Sequence, residues 1–119
     1  MKAFLSNYRQ TPRKVRLVTD LVKGRSVPDA LSRLSVLPKR ASLPVKKLIM
    51  SAAKNAETNS KIAIEDLVIS KIEVNAGMVL KRSMPRARGS ASRLKRRTSH
   101  VEIVLTKRNT SDGKKKDKK

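Results

Sequence analysis

Between Lys81 and Arg97 the chain carries eight cations in 17 positions and no acid. They are Lys81, Arg82, Arg86, Arg88, Arg93, Lys95, Arg96 and Arg97, six Arg and two Lys. The charges fall on both parities, so an extended chain here has no apolar face. On either side lie β-branched runs that read as strands. Leu67 and Ile69 alternate, then Ile72, Val74 and Ala76 alternate on the other parity, and Val101, Ile103 and Leu105 match them. The change of parity implies a bulge or two-sided cover. If strands 67–76 and 101–106 pair, the connection is too long for an ordinary turn. A structureless loop of about two dozen residues is uncommon in a compact domain. A continued hairpin with its tip near Arg86 to Ser92 has legs of roughly 13 residues and reaches on the order of 40 Å. That exceeds the ~13 Å radius of gyration of a domain this size, so the arm cannot lie within its own core. A lone two-stranded ribbon is marginal in water. One that repels itself makes physical sense only among phosphates. Pro85 and Gly89 suit an irregular tip, and Gly89, Ser90, Ala91 and Ser92 make it thin.

The rest of the composition agrees. Thirty Lys and Arg against nine Asp and Glu give the 119 residues a net charge of +21. Self-repulsion on that scale opposes compactness unless a polyanion neutralises it, and contacts to nucleic-acid phosphates release counterions. Arg forks suit bidentate phosphate contacts and base stacking. Phe4 and Tyr8 are the only Phe, Tyr or Trp residues, so the core must be aliphatic. With no Cys there is no disulfide or thiolate metal site, and a reducing compartment is allowed. No apolar run approaches the ~20 residues of a membrane span, and the N-terminus has too short an apolar stretch for a signal peptide. A cytosolic or organelle-matrix protein is expected.

The spacing predicts a short strand over residues 2–8 and three helices. Thr11-Pro12 starts the first, with Val15, Val18, Leu21 and Val22 on one face, Leu17 beside them and Arg13, Lys14, Arg16 and Lys23 mostly elsewhere; Gly24 stops it. Ser26 and Asp29 resemble a shortened capping box for a second helix of about ten residues, with Ala30, Leu31 and Leu34 inward and Pro38 after it. Val45, Leu48, Ile49, Ala52, Ala53 and Ala56 mark the third, with Pro44 in its first turn. The lysine-rich stretch from Asp112 to Lys119 reads as disordered when free.

Other functions fit less well. A helix-turn-helix should present base-reading side chains at the start of its second helix, but this one offers Val27, Pro28 and Asp29, with only Arg33 later. His100 is the lone histidine and reads as a structural or RNA contact at a strand start. Glu65 and Asp66 lack metal-ligand partners, and Glu73 and Glu102 are expected to pair with Lys or Arg. Gly24, Gly77, Gly89 and Gly113 are scattered and form no phosphate loop. The first helix lacks the aromatic residues of a membrane-surface helix. No catalytic residue, cofactor or metal is expected.

Three stretches together resemble the family of bacterial large-subunit ribosomal protein twenty-two over roughly residues 3–108. They are Leu80-Lys81-Arg82-Ser83-Met84-Pro85-Arg86-Ala87-Arg88-Gly89, closed by Lys95-Arg96-Arg97-Thr98-Ser99-His100; Thr11-Pro12-Arg13-Lys14-Val15-Arg16-Leu17-Val18; and Ser51-Ala52-Ala53-Lys54-Asn55-Ala56-Glu57. The resemblance implies an α+β fold, with three helices on a small three-stranded antiparallel sheet and a long protruding β-hairpin. It gives one domain over 1–108, including the arm at about 76–100, and a variable basic tail over 109–119. It also implies binding of large-subunit ribosomal RNA, help in subunit assembly, neighbouring ribosomal proteins as partners, and a hairpin tip lining the nascent-peptide exit tunnel; no homo-oligomer is expected. The RNA contacts it implies are Arg13, Lys14, Arg16, Lys81, Arg82, Arg86, Arg88, Arg93, Lys95, Arg96, Arg97, Thr98, Ser99 and His100. The tunnel tip would be Met84, Pro85, Arg86, Ala87, Arg88, Gly89, Ser90, Ala91 and Ser92. Two positions depart from the family pattern: Thr11, where Ser is usual, and Ser90, where a basic residue often follows the tip glycine.

Overall fold

A computed structural model describes residues 1–108. The elements run β1 (Lys2–Tyr8), α1 (Pro12–Val22), α2 (Val27–Val36), α3 (Ser42–Ser60), a 3-10 turn (Ile64–Asp66), β2 (Leu67–Pro85), a tip turn (Ala87–Gly89) and β3 (Ala91–Lys107). The antiparallel sheet has the order β1-β3-β2. The α+β class and the three helices are as expected. The lysine-rich tail lies outside the described residues.

The helices cover one face of the sheet. Val101, Ile103 and Leu105 of β3, with Leu67, Ile69, Ile72 and Val74 of β2, meet the apolar faces of α1 and α3. All six expected residues of α3 are buried, and its alanines allow close approach to the sheet. The predicted change of parity in β2 is a bulge: Ile69 pairs with Leu105 and Lys71 with Val104, leaving Ser70 extra. The bottom of the β2 edge is covered, since Gly24 N–H donates to Ile69 O and Ile69 N–H to Arg25 O.

Two details of the helices differ from expectation. Leu17 and Leu21 form their own i, i+4 stripe on the outer flank of α1, 66% and 50% exposed, while Thr19 is buried in their stead. The inward face follows Val15, Val18, Thr19 and Val22, and the Thr19 hydroxyl is satisfied by Arg16 O at 3.1 Å. Ser26 does sit at the α2 N-cap, but its side chain makes no capping bond. Asp29 instead accepts from Arg25 at 3.2 Å and from Arg33 at 3.1 Å. Desolvation raises the Asp29 carboxyl, but the hydrogen bonds and charges of Arg33 and Arg25 outweigh it and hold the group below its ordinary value. Val27 at the start of α2 is fully buried, beside a bridge from Ser26 to Val68.

The arm grows from the sheet. β2 is one strand of 19 residues, long enough to pass from the core to the tip. β1 ends where Tyr8 pairs with Ser99, and at the same level a second bulge breaks β2 between Ala76 and Val79. The two-stranded part thus runs from Val79–Arg97 to Pro85–Ala91. It starts inside the expected 76–100, because β1 supports β3 as far as Ser99. Its seven-residue legs span about 23 Å, not 40 Å. Even so, the molecule measures 66 Å along its longest axis, with a radius of gyration of 18.3 Å.

The root bulge is held by side chains. The Thr98 hydroxyl donates to Met78 O at 2.7 Å, satisfying a carbonyl of the bulged stretch. Gly77 lies so close that a Cβ there would stand 2.5 Å from Thr98 Oγ1 and 3.1 Å from His100 Nε2. Gly77→Ala should therefore destabilise the protein by roughly 1–3 kcal/mol through overpacking, measured by thermal or denaturant unfolding. Gly89→Ala, with open space around it but a φ of +70°, should cost only the roughly 1–2 kcal/mol of a left-handed L residue, confined to the tip.

Candidate RNA interface

Directly paired residues of a hairpin share a face, so the register sorts the arm's charges. One face carries Arg97, the Lys81–Lys95 pair and Arg93. The other carries Arg96 and Arg82 among Leu80, Leu94 and Met84. Opposed lysines are unfavourable in isolation. The ion pairs among the described residues lie elsewhere: Lys2–Glu102, Arg25–Asp29, Arg33–Asp29 and Lys71–Glu73. The tip turns through two consecutive left-handed residues, Arg88 (φ 59°) and Gly89 (φ 70°). It is closed by Arg86 N–H to Ser90 O at 2.7 Å and by Arg86 Nε to Ser92 Oγ at 3.0 Å. Every residue from Lys81 to Ala91 is exposed, including Met84, Pro85 and Ala87.

The arm meets the globular part at a cleft of about 800 Å³. Seven cations line it: Arg9, Lys14, Arg40, Arg82, Lys95, Arg96 and Arg97, with Gln10, Thr11, Leu80 and Thr98 and no acid. Thr11 begins α1 here. A helix N-terminus favours negative charge, yet the first turn of α1 holds Arg13 and Lys14 and no acid. That arrangement disfavours the free helix and suits a bound polyanion. Arg9 follows β1, and Arg40 is brought alongside by the loop between α2 and α3, where the Tyr8 hydroxyl donates to Arg40 O at 3.3 Å. Neither was expected in the site. Arg9 was legible as a cation beside the Thr11 motif, whereas Arg40 lies 31 positions away and only the fold brings it in.

Several expected contacts take other roles. Arg16 is exposed, but its Nε and Nη2 donate to Val74 O at 3.2 and 2.9 Å, covering a carbonyl of β2. Thr98 and Ser99 are 6% and 0% exposed, and their hydroxyls are committed to Met78 O and Gln10 O. These two positions hold the arm's root, with their hydroxyl protons committed to the protein's own backbone. His100 lies in the middle of β3, not at a strand start. Its Nδ1 accepts from Asn7 N–H at 3.1 Å, at a β1 bulge where Asn7 has φ 52°. Arg13 is exposed but outside the cleft. Glu73 and Glu102 face each other and take Lys71 and Lys2 as partners, as expected. Among the described residues no three His, Cys, Asp or Glu groups cluster to hold a metal, and no helix is long and apolar enough to cross a membrane.

The family model for ribosomal protein L22p/L17e matches residues 3–106, which covers the sheet, the cleft and the whole arm. The chain belongs to this family. It is similar to large ribosomal subunit protein uL22 of Deinococcus deserti, 50% identical over 112 residues, covering 94% of this chain and 81% of that one. The protein of the same name from Herpetosiphon aurantiacus is 48% identical over 104 residues, covering 87% and 92%. That of Pediococcus pentosaceus is 47% identical over 107 residues, covering 90% and 91%. As a member of the L22p/L17e family the chain is a structural constituent of the large ribosomal subunit and not an enzyme.

The cleft yields a test. Arg9→Gln with Arg40→Gln should weaken binding to large-subunit RNA and lower the log–log salt slope by roughly one for each phosphate no longer neutralised. Filter binding across a salt series reads it, and thermal unfolding should be unchanged.

Proposed function

We propose that this L22p/L17e member binds large-subunit ribosomal RNA as a staple, with its root cleft on one stretch of backbone and its arm inserted between others. The observation that carries this is a continuous cationic surface from Arg9 and Arg40 along both legs to Arg88, with no carboxylate on it. RNA is the fitting partner because its phosphates supply the counter-charge the arm lacks, and Arg can bridge two phosphate oxygens or stack on bases. The contacts need not read sequence, since backbone contacts fix position and orientation. The protein's task is then to hold RNA segments together during subunit assembly and afterwards, beside neighbouring ribosomal proteins.

The tip has a different chemistry from the legs. Ala87, Gly89, Ser90 and Ala91 are small and exposed, with Arg86 and Arg88 the only charges. A narrow tip at the end of a long arm suits a confined space, and the family resemblance points to the wall of the nascent-peptide exit tunnel, at Met84 to Ser92. The growing peptide would then pass the tip.

Replacing Arg86, Arg88, Arg96 and Arg97 together by Ala tests the staple. The variant should keep its helical circular dichroism but fail to co-sediment with large subunits after a moderate-salt wash. Retention at the wild-type level would contradict the proposal.

A further inference from the structure

The sheet face away from the helices carries an unused feature. β1 alternates Lys2, Phe4 and Ser6 outward, and β3 places His100, Glu102 and Val104 beside them by the register. Phe4 is the only phenylalanine of the chain, and it stands 62% exposed. A single exposed apolar side chain is ordinary in itself. This one is held in place. Its ring lies against His100, with centroids 5.9 Å apart and planes 22° from parallel. His100 is fixed in turn by the Asn7 N–H on Nδ1 and by the close backbone of Gly77 on the Nε2 side. The side chain therefore presents one ring face to its backing and the other outward.

The charges nearby permit an RNA approach. Glu102 and Glu73 share this face, but Lys2 lies 3.8 Å from Glu102 and Lys71 lies 2.8 Å from Glu73. That hydrogen bond and the charge of Glu73 raise the Lys71 ammonium above its ordinary value, as an intact pair requires. The all-cationic arm begins at Arg97, three residues beyond His100. His100 thus places the ring against the strand that continues directly into the cationic leg.

We propose that Phe4 is a stacking site for one unpaired base of the ribosomal RNA, with His100 as its fixed backing plate. Unpaired RNA bases characteristically stack on aromatic side chains, and such stacking tolerates any base because each has a π-face. The proposal rests on the RNA-binding reading above and adds a contact that is neither ionic nor part of the arm. His100 acts here as a positioning residue.

The test uses the full-length chain and protein-free large-subunit RNA at fixed salt. Phe4→Ala should weaken binding on the order of ten-fold, Phe4→Tyr should restore it, and the salt slope should stay the same for both. His100→Ala should weaken binding less than Phe4→Ala does. A photo-crosslinking phenylalanine analogue at position 4, in assembled subunits, should mark a single unpaired nucleotide. The proposal falls if Phe4→Ala binds like the wild type while the arginine variants lose binding, since RNA binding then stands without the stack. It falls equally if the crosslink goes only to protein or if the salt slope changes. Failure of the wild-type chain to bind the RNA at all would instead overturn the underlying reading.

Discussion

The repulsion between Lys81 and Lys95, opposed across the arm, is the constraint the rest of the structure answers to. They stand among eight cations with no acid, on a ribbon without a core. A ribbon like this gains little from its own side chains. It is projected because β2 and β3 are single strands anchored in the sheet, with Leu67, Ile69, Val101, Ile103 and Leu105 fully buried. The core aims the arm, and in the proposed staple RNA supplies the counter-charge that its composition omits.

The junction between core and arm is where sequence, packing and function meet. Three strands become two at Ser99, and the change is managed by a bulge in β2, the Thr98 bond to Met78 O, the missing Cβ of Gly77 and the Ser99 bond to Gln10 O. The two hydroxyls each satisfy a backbone carbonyl, and the missing Cβ leaves the room that Thr98 and His100 occupy. The same junction collects Arg9, Lys14, Arg40 and the arm's first cations into one cleft. Tying the chain together there also gathers the charge that the proposed staple sets against phosphate.

Much of this was legible in the sequence. The apolar period of α3, the parity change in β2 and the acid-free run each carry their physical reason on their face. The residues that misled were those whose signal was local but whose fate was tertiary. Leu17 and Leu21 read as core by hydrophobicity, but the sheet lies against the Val15–Val22 side. Thr98 and Ser99, which the resemblance implies as RNA contacts, fall where β1 ends, and their hydroxyls donate to Met78 O and Gln10 O there. Arg40 was missed because nothing near it in the chain marks a site. The arm's length was overstated because the end of β1, and not the charge run, fixes where two-stranded structure begins.

Amide hydrogen exchange on the free protein and on its complex with large-subunit RNA tests the central claim most directly. In the free protein the legs, Val79–Pro85 and Ala91–Arg97, should exchange much faster than Val101–Leu105, and in the complex they should become protected while the core stays unchanged. Legs already as protected as the core without RNA, or still unprotected with it, would contradict the account.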